Sequence, residues 1–331
     1  MGTNITEFDG LGSSIDVLLA GMSFEDRCTA LTKYITSDSV NHVILFKNTD
    51  IAGSERNTNA ENCLRSMETK YKIILDFLHS SDITVDTVLS QHRNMKRKME
   101  AVKEVLDHIR KKCVALNREN ICIGVDTTCF TRIDLIILLD YLFDVFPSAQ
   151  IRIIYVSPKD HAGDWLTRGY SGLDSILGFP GEMDYLKKKA LVILSGFEGE
   201  RPQNFIEEYE PDVIYMGLSD KGPTCKEFGA RNVEIQRRLL SADNVTTFHF
   251  SARSIEKCYF DIDQIISPLL KDYNVIIAPL CTKLSVVASF LYAKKHPEIQ
   301  LSYCYPREYN WEHYSSGISK IYIEEIDRSV L

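Results

Sequence analysis

Carboxylates and an arginine follow a glycine in two separate stretches of the chain, VLLAGMSFEDR and VILSGFEGER. The residues concerned are Gly21, Glu25, Asp26 and Arg27 in the first stretch and Gly196, Glu200 and Arg201 in the second. Carboxylates can act as general acids and bases, and an arginine can bind a phosphate. A structural role is the alternative, because acids in the first turn of a helix complement its dipole and pair with a neighbouring arginine. Glycine at such a turn lets the backbone bend tightly or approach a ligand.

A threonine followed by a cation opens an apolar helix at two further places, Thr131-Arg132 and Thr282-Lys283. Amide hydrogens at a helix N-terminus attract anions, and a hydroxyl and a cation added there suit a phosphate. Simple N-capping by threonine beside a surface cation is the alternative. Because the arrangement occurs at the same station in both halves of the chain, we favour an anion site formed by these residues.

Catalysis is a second hypothesis. Asp126 follows the apolar run ICIGV, at the end of a predicted strand, where catalytic acids often lie. With Glu25, Asp26 and Arg27 it could serve an enzyme acting on a nucleotide, a sugar phosphate or a phosphodiester. The histidines form no HxH or HExxH pattern, and His161 is the best candidate for a general base together with His313.

The nine cysteines point away from metal chemistry. None forms a CxxC pair, so we predict no zinc site of the usual spacing, and neither glycine turn is GxGxxG, so we predict no dinucleotide cofactor. Cys129 and Cys281 lie near predicted helix N-termini, which could lower their thiol pKa values, although a small apolar role in the core is the alternative. An odd cysteine count and a polar, acidic N-terminus predict reduced thiols and a cytoplasmic location.

These residues recur because the chain repeats at domain scale. Each half begins with an apolar strand, a glycine turn, an acid-plus-arginine group, a helix and a second apolar strand. Each half ends with a helix stopped by Pro147 or Pro297 and a strand ending in tyrosine, proline, a base and an acid. A tryptophan and a Ser-Gly pair follow in both halves. We interpret this as an internal duplication.

Apolar strands alternate with helices of ten or more residues, which predicts parallel sheets covered by helices on both faces. The fold class is therefore α/β, with two tandem Rossmann-like units. The predicted domains are residues 1–182, which end in a long loop at 159–182, and residues 183–331. Ligands of such sheets bind at the carboxyl ends of the strands, where the strand order reverses. The apolar stretch 133–146 is too short for a membrane span and is interrupted by three aspartates, so we predict a buried helix and no membrane association.

Residues 94–117 predict a long amphipathic helix in the first unit. Its apolar seam consists of Met95, Met99, Val102, Leu106, Ile109, Cys113 and Leu116. Its basic face consists of Arg93, Lys96, Arg97, Lys98, Lys111 and Lys112. Packing on the domain with a solvated basic face is one interpretation; docking of a protein partner, or self-association into an oligomer, is another. A nucleic-acid stripe is the third, but aromatic stacking residues are missing and the chain carries a net charge of −8.

The stretch IIAPLCTKLSVVASFLYA resembles the strand–GTK–helix turn of CARF domains, with Cys281 where that family favours glycine. CARF domains are Rossmann-like sensors of cyclic oligonucleotides in bacterial immunity, and SAVED domains are their fused, duplicated relatives. The resemblance implies a nucleotide signal bound near Thr282 and Lys283, with Thr131 and Arg132 as a second half-site. It also implies a role in antiviral defence. The leading expectation is thus a protein that binds or senses a nucleotide-like small molecule.

Overall fold

A computed structural model describes residues 11, 14–50, 60–91, 93–118, 120–161, 163, 165–219, 228–326 and 328. Its strands are β1 (Val17–Met22), β2 (His42–Asn48), β3 (Thr84–Ser90), β4 (Cys122–Asp126), β5 (Gln150–Val156), β6 (Asp160–His161), β7 (Thr167–Pro180), β8 (Lys188–Leu194), β9 (Val213–Leu218), β10 (Val245–His249), β11 (Tyr273–Pro279), β12 (Gln300–Tyr309), β13 (Ser315–Ser316) and β14 (Ile321–Glu325). Its α-helices are α1 (Leu31–Tyr34), α2 (Ala60–Ser80), α3 (Met95–Leu116), α4 (Arg132–Val145), α5 (Glu200–Tyr209), α6 (Phe228–Leu240), α7 (Ile255–Ile266) and α8 (Lys283–Lys295). Short 3-10 helices cover Asp26–Ala30 and Thr127–Cys129.

The chain forms two compact units, each built on one large sheet. Met1–His161 and Trp311–Arg328 belong to the first unit, and Ala162–Asn310 belongs to the second. The first sheet has the strand order β14-β5-β4-β1-β2-β3, and the second has β10-β9-β8-β11-β12-β7. In each sheet five parallel strands follow the Rossmann order 3-2-1-4-5 when they are numbered within their own half. The prediction of two tandem Rossmann-like units is confirmed.

The sixth strand of each sheet comes from the other half of the sequence and runs antiparallel. β7 follows the first half but pairs with β12, whereas β14 follows the second half but pairs with β5. We call β7 and β14 the exchanged strands. The loop predicted at 159–182 is therefore largely the strand β7, which lies in the second sheet although the predicted boundary placed these residues in the first domain. Glycines with positive φ at 169, 172 and 178 and register shifts against β12 give this irregular strand the composition of a loop.

The central strands and the helices packed against them form the cores. All six residues of β1 are buried, as expected for a strand covered on both faces. α4 and α8 bury residues around most of their circumference because they are apolar on nearly all sides. The stretch 133–146, predicted to be a buried helix, is largely α4. No helix in the described part of the chain is both long enough and apolar enough to cross a membrane.

The long helix predicted at 94–117 is α3. It connects the third and fourth strands of its half, as the shorter α7 does in the second unit. Its middle turns pack within the first unit, and Ile109, a predicted seam residue, is fully buried there. Lys98 corrects the predicted basic face: its side chain is buried and its ammonium group donates a hydrogen bond to Asp134 of α4. A cation this far from water is stable only beside a carboxylate, so this pair fixes α3 to α4.

A second polar contact holds the middle of α3 to the sheet. Asp86 Oδ2 lies 2.7 Å from His42 Nε2 and 2.9 Å from His108 Nδ1, so that strands β2 and β3 and helix α3 share one carboxylate oxygen. Burial lowers the pKa of His42, against the opposing effect of the Asp86 carboxylate. We therefore expect the His42 ring to be neutral at pH 7.

Candidate functional site

The turns that follow β1 and β8 lie at the carboxyl ends of the parallel strands. In each sheet the first strand of the half stands beside the fourth, β1 beside β4 and β8 beside β11. The strand order reverses between these neighbours, which is the position where open α/β sheets bind ligands. The acid–arginine turns and the threonine–cation turns that the sequence singles out therefore share one edge within each unit.

The glycines at these turns are explained by the neighbouring turn of the same unit. A Cβ added to Gly21 would lie 2.8 Å from the backbone N of Phe130, and one added to Gly196 would lie 2.9 Å from the carbonyl oxygen of Leu280. Both contacts are with the segment that leaves the fourth strand of the half. Close approach of two backbones thus accounts for glycine at this station in both units.

Gly196→Ala is expected to destabilise the second unit by about 1–3 kcal/mol, because the added methyl group would push against main chain that has little room to move. The measurement is the urea unfolding free energy. Gly199→Ala is the matched control three residues along the same turn, where an added Cβ meets only a side-chain atom of Ile235 at 3.7 Å. That control is expected to change stability by less than about 1 kcal/mol. Equal effects of the two substitutions would contradict the packing explanation.

In the first unit Arg27 and Glu25 form a buried pair. Arg27 Nε and Nη2 donate to Glu25 Oε2 at 3.1 and 2.5 Å, and Nη1 donates to the carbonyl oxygen of Val156 at 2.8 Å. Ser315 Oγ donates to the same Glu25 oxygen at 2.5 Å. The Arg27 side chain is 4% exposed and that of Glu25 is 7% exposed. The pair therefore joins the turn after β1 to the end of β5 and to the segment that leads into β14.

The second unit repeats this arrangement with different spacing. Arg201 Nη1 donates to Glu198 Oε1 at 3.3 Å, and Nε donates to the carbonyl oxygen of Cys304 at 3.1 Å. Thr167 Oγ1, at the start of β7, donates to Glu198 Oε2 at 2.5 Å. The two arginines lie over the equivalent rings of Tyr155 and Tyr303. We call each group of arginine, glutamate, carbonyl and hydroxyl an Arg–Glu cluster.

Two acids predicted for the site lie outside these clusters. Glu200 accepts a hydrogen bond from the backbone N of Gly169 at 2.8 Å, and Asp26 is mostly exposed and pairs with Lys70 Nζ at 3.2 Å. The buried partner of Arg201 is Glu198, which the sequence analysis missed. The Phe-Glu dipeptide shared by residues 24–25 and 197–198 was the available signal, but the arginine follows two residues after Glu25 and three after Glu198.

Asp126 is buried at the end of β4 and its carboxylate is occupied by the protein. Tyr34 donates its hydroxyl to Asp126 Oδ2 at 2.5 Å, and the backbone N of Thr128 donates to Oδ1 at 3.0 Å. Burial raises the pKa of Asp126, while the hydrogen bonds from Thr128 and Tyr34 act against that rise. Both carboxylate oxygens of Asp126 therefore accept hydrogen bonds that hold the turn after β4. These bonds do not direct either oxygen to an open cleft.

The structure gives the surroundings of Cys129, His161 and His313, three of the side chains that the sequence analysis considered for catalysis. Burial raises the pKa of the Cys129 thiol well above its usual value, which keeps it protonated at neutral pH and opposes the predicted lowering. His161 Nδ1 lies 3.1 Å from the carbonyl oxygen of Tyr314, and the His313 side chain is 76% exposed. Within the described residues, no group of three or more histidines, cysteines or acids is arranged to hold a metal ion.

The threonines at the two helix starts cap their helices. Thr131 accepts a hydrogen bond from the backbone N of Asp134, and Thr282 accepts one from the backbone N of Ser285. The next residues, Arg132 and Lys283, are the first residues of α4 and α8 and are half-buried. Each helix thus begins at the carboxyl edge of its sheet with a capping hydroxyl followed by a cation.

Comparisons with known proteins do not assign this chain to a family. No family model matches it, and no curated protein matches it. Among solved structures, tryptophan synthase subunit alpha from Campylobacter jejuni is 10% identical, with a TM-score of 0.20, over 89% of this chain and 99% of that one. An A-type ketoreductase from a modular polyketide synthase is 11% identical, with a TM-score of 0.22, over 89% of this chain and 68% of that one. Likenesses this low carry no argument about function.

Proposed function

We propose that this protein binds a nucleotide-like anion at the carboxyl edges of its sheets, without transforming it. The main support for this proposal is that the helix after the fourth strand begins with a capping threonine and a cation in both units. These residues are Thr131-Arg132 and Thr282-Lys283. Amide hydrogens in the first turn of each helix would receive a phosphate, and Arg132 or Lys283 would neutralise its charge. A sensing role in bacterial antiviral defence belongs to the same proposal and rests on the resemblance to CARF domains.

The buried carboxylates favour binding over catalysis. Glu25, Glu198 and Asp126 all accept hydrogen bonds from protein groups and lie out of solvent, so that a reaction would first have to dismantle these contacts. The guanidinium groups of Arg27 and Arg201 likewise donate hydrogen bonds to carbonyl oxygens and glutamates of their own units. Arg132 and Lys283 are half-buried cations in the first turns of α4 and α8.

The test is isothermal titration calorimetry with ATP, cyclic di-AMP and inorganic phosphate, preceded by mass spectrometry of small molecules released from the purified protein. Loss of a charge-assisted hydrogen bond costs about 1.5–3 kcal/mol, so the double variant Arg132→Ala/Lys283→Ala is expected to bind about tenfold or more weakly. The two single variants report which unit binds, and Arg132→Lys with Lys283→Arg is expected to restore part of the affinity.

Lys257→Ala is the matched control, since Lys257 is a cation in the first turn of α7, which is capped by Ser254, and it pairs with Asp261 at the surface. Its affinity is expected to stay at the wild-type value. An unchanged affinity in the double variant, or no binding of any of the three probes and no released small molecule, would overturn the proposal.

A further inference from the structure

A groove of about 630 Å³ lies in the first unit between the last turns of α3 and α4. It is lined by Arg110, Cys113, Val114, Asn117, Arg118, Val145, Phe146, Pro147 and Ser148. Arg118 precedes β4 and Ser148 precedes β5, so the groove lies at the amino ends of these strands. It is therefore at the opposite edge of the sheet from the turns discussed above, and it is independent of the proposed function.

One wall of the groove is apolar. Val145, Phe146 and Pro147 end α4 and enter the turn before β5, and Val114 faces them from α3 with 80% of its surface exposed. A valine this exposed beside other apolar side chains leaves apolar surface in water, which a ligand with an apolar body would cover. The volume lies within the range of about 300–1,000 Å³ that small-molecule sites have.

Two guanidinium groups line the groove, and none of its lining residues in the described part of the chain carries a carboxylate. Arg110 Nη1 meets Asp107 at 3.0 Å, and Arg118 Nη2 meets Asp16 at 2.5 Å. Both arginine side chains are about half exposed, at 54% and 51%. A guanidinium has five N–H donors, so one carboxylate contact leaves donors available to a second anion. The groove thus presents two half-exposed guanidinium groups, each already paired with one aspartate, on a chain whose net charge is −8.

We infer that this groove binds a small amphipathic organic anion, with an aromatic or aliphatic body against the apolar wall and its acid group on Arg110 and Arg118. The apolar surface would supply the burial, and the guanidinium groups would select a carboxylate, sulfonate or phosphate monoester over a neutral molecule. A small molecule fits better than a protein segment, because a stable protein interface buries about 1,200 Å² or more.

The probe pair is 8-anilinonaphthalene-1-sulfonate and N-phenyl-1-naphthylamine, which share the aromatic body and differ in the sulfonate. Fluorescence titrations are run on the full chain as wild type, Arg110→Gln, and Arg110→Gln/Arg118→Gln. Loss of one charged contact costs about tenfold or more in affinity, so we expect the sulfonate to bind at least about tenfold more weakly to the double variant. The affinity of the neutral amine should change less than about twofold. Arg110→Gln alone keeps the Asp16–Arg118 pair. A weaker affinity of this variant for the sulfonate is therefore not caused by the loss of that pair.

Arg97→Gln is the matched control, because Arg97 is an exposed arginine of α3 paired with Glu100 three residues away, as Arg110 is with Asp107. It is expected to leave both affinities unchanged. Methyl NMR on valine-labelled protein should show the sulfonate shifting the resonances of Val114 and Val145. The inference is overturned if those resonances do not move, if Arg97→Gln weakens the sulfonate as much as the groove variants do, or if the groove variants bind it normally.

Discussion

Arg201→Met is expected to lower the unfolding free energy of the second unit by about 3–5 kcal/mol, the usual cost of removing one partner from a buried ion pair. Arg201 and Glu198 are 1% and 2% exposed, so the substitution would leave a carboxylate without its cation in the interior. It would also leave the carbonyl oxygen of Cys304 without its donor. Trp165 lies in the second unit and Trp311 in the first, so urea unfolding followed by Trp165 emission in a Trp311→Phe background reports the second unit alone.

The matched control for this measurement is Arg237→Met. Arg237 pairs with Glu234 at the same three-residue separation in the same unit, but the two side chains are 73% and 62% exposed. Exposed pairs contribute about 0–1 kcal/mol, so this control is expected to remain near wild type. Adding Glu198→Gln to Arg201→Met should recover part of the loss because the uncompensated charge disappears. A loss below about 1 kcal/mol in Arg201→Met would contradict the interpretation of the Arg–Glu cluster as a buried ion pair.

Lys98→Met is expected to destabilise the first unit by a similar amount, about 3–5 kcal/mol. Its partner Asp134 is 1% exposed and also accepts a hydrogen bond from Thr131 Oγ1 at 2.6 Å. The substitution leaves a buried carboxylate with one donor fewer and loosens the start of both α3 and α4. Trp311 emission in a Trp165→Phe background follows this unit during urea unfolding, and amide exchange should increase in the first turns of α3.

Arg97→Met, one residue away on the exposed side of α3, is the control and should change stability by less than about 1 kcal/mol. The double variant Lys98→Met/Asp134→Asn should be more stable than Lys98→Met. If Lys98→Met were no more harmful than Arg97→Met, the ion pair would not be what holds α3 to α4.

Much of the fold could be predicted from the sequence because its signals are local. Apolar strands, glycine turns and helices that end at a proline recur in the same order in both halves. The two sheets accordingly share one strand order. The exchanged strands could not be predicted in this way. Their neighbours β12 and β5 are distant in sequence, and the glycines that let β7 bend are also the residues that make a segment look like a loop.

The sequence predicted where the candidate site lies in the fold, but it did not predict the surroundings of the side chains there. Acid–arginine turns stand at the carboxyl edges of both sheets, but the sequence did not indicate that most of these side chains are buried. The groups that enclose them are far along the chain: Arg27 bonds Val156, 129 residues away, and Glu25 bonds Ser315, 290 residues away. Lys98 stands in a run of solvated cations, and only its packing against α4 distinguishes it from its neighbours.

The exchanged strands also bear on how the chain is made. While the protein is being synthesised, β5 (Gln150–Val156) has no edge partner until residues 321–325 have been translated, so an unpaired strand edge persists while the second half of the chain is made. Such edges recruit other chains, and pairing over long sequence separations is slow. The nascent protein should therefore depend on chaperones, and neither half expressed alone should form its complete six-stranded sheet.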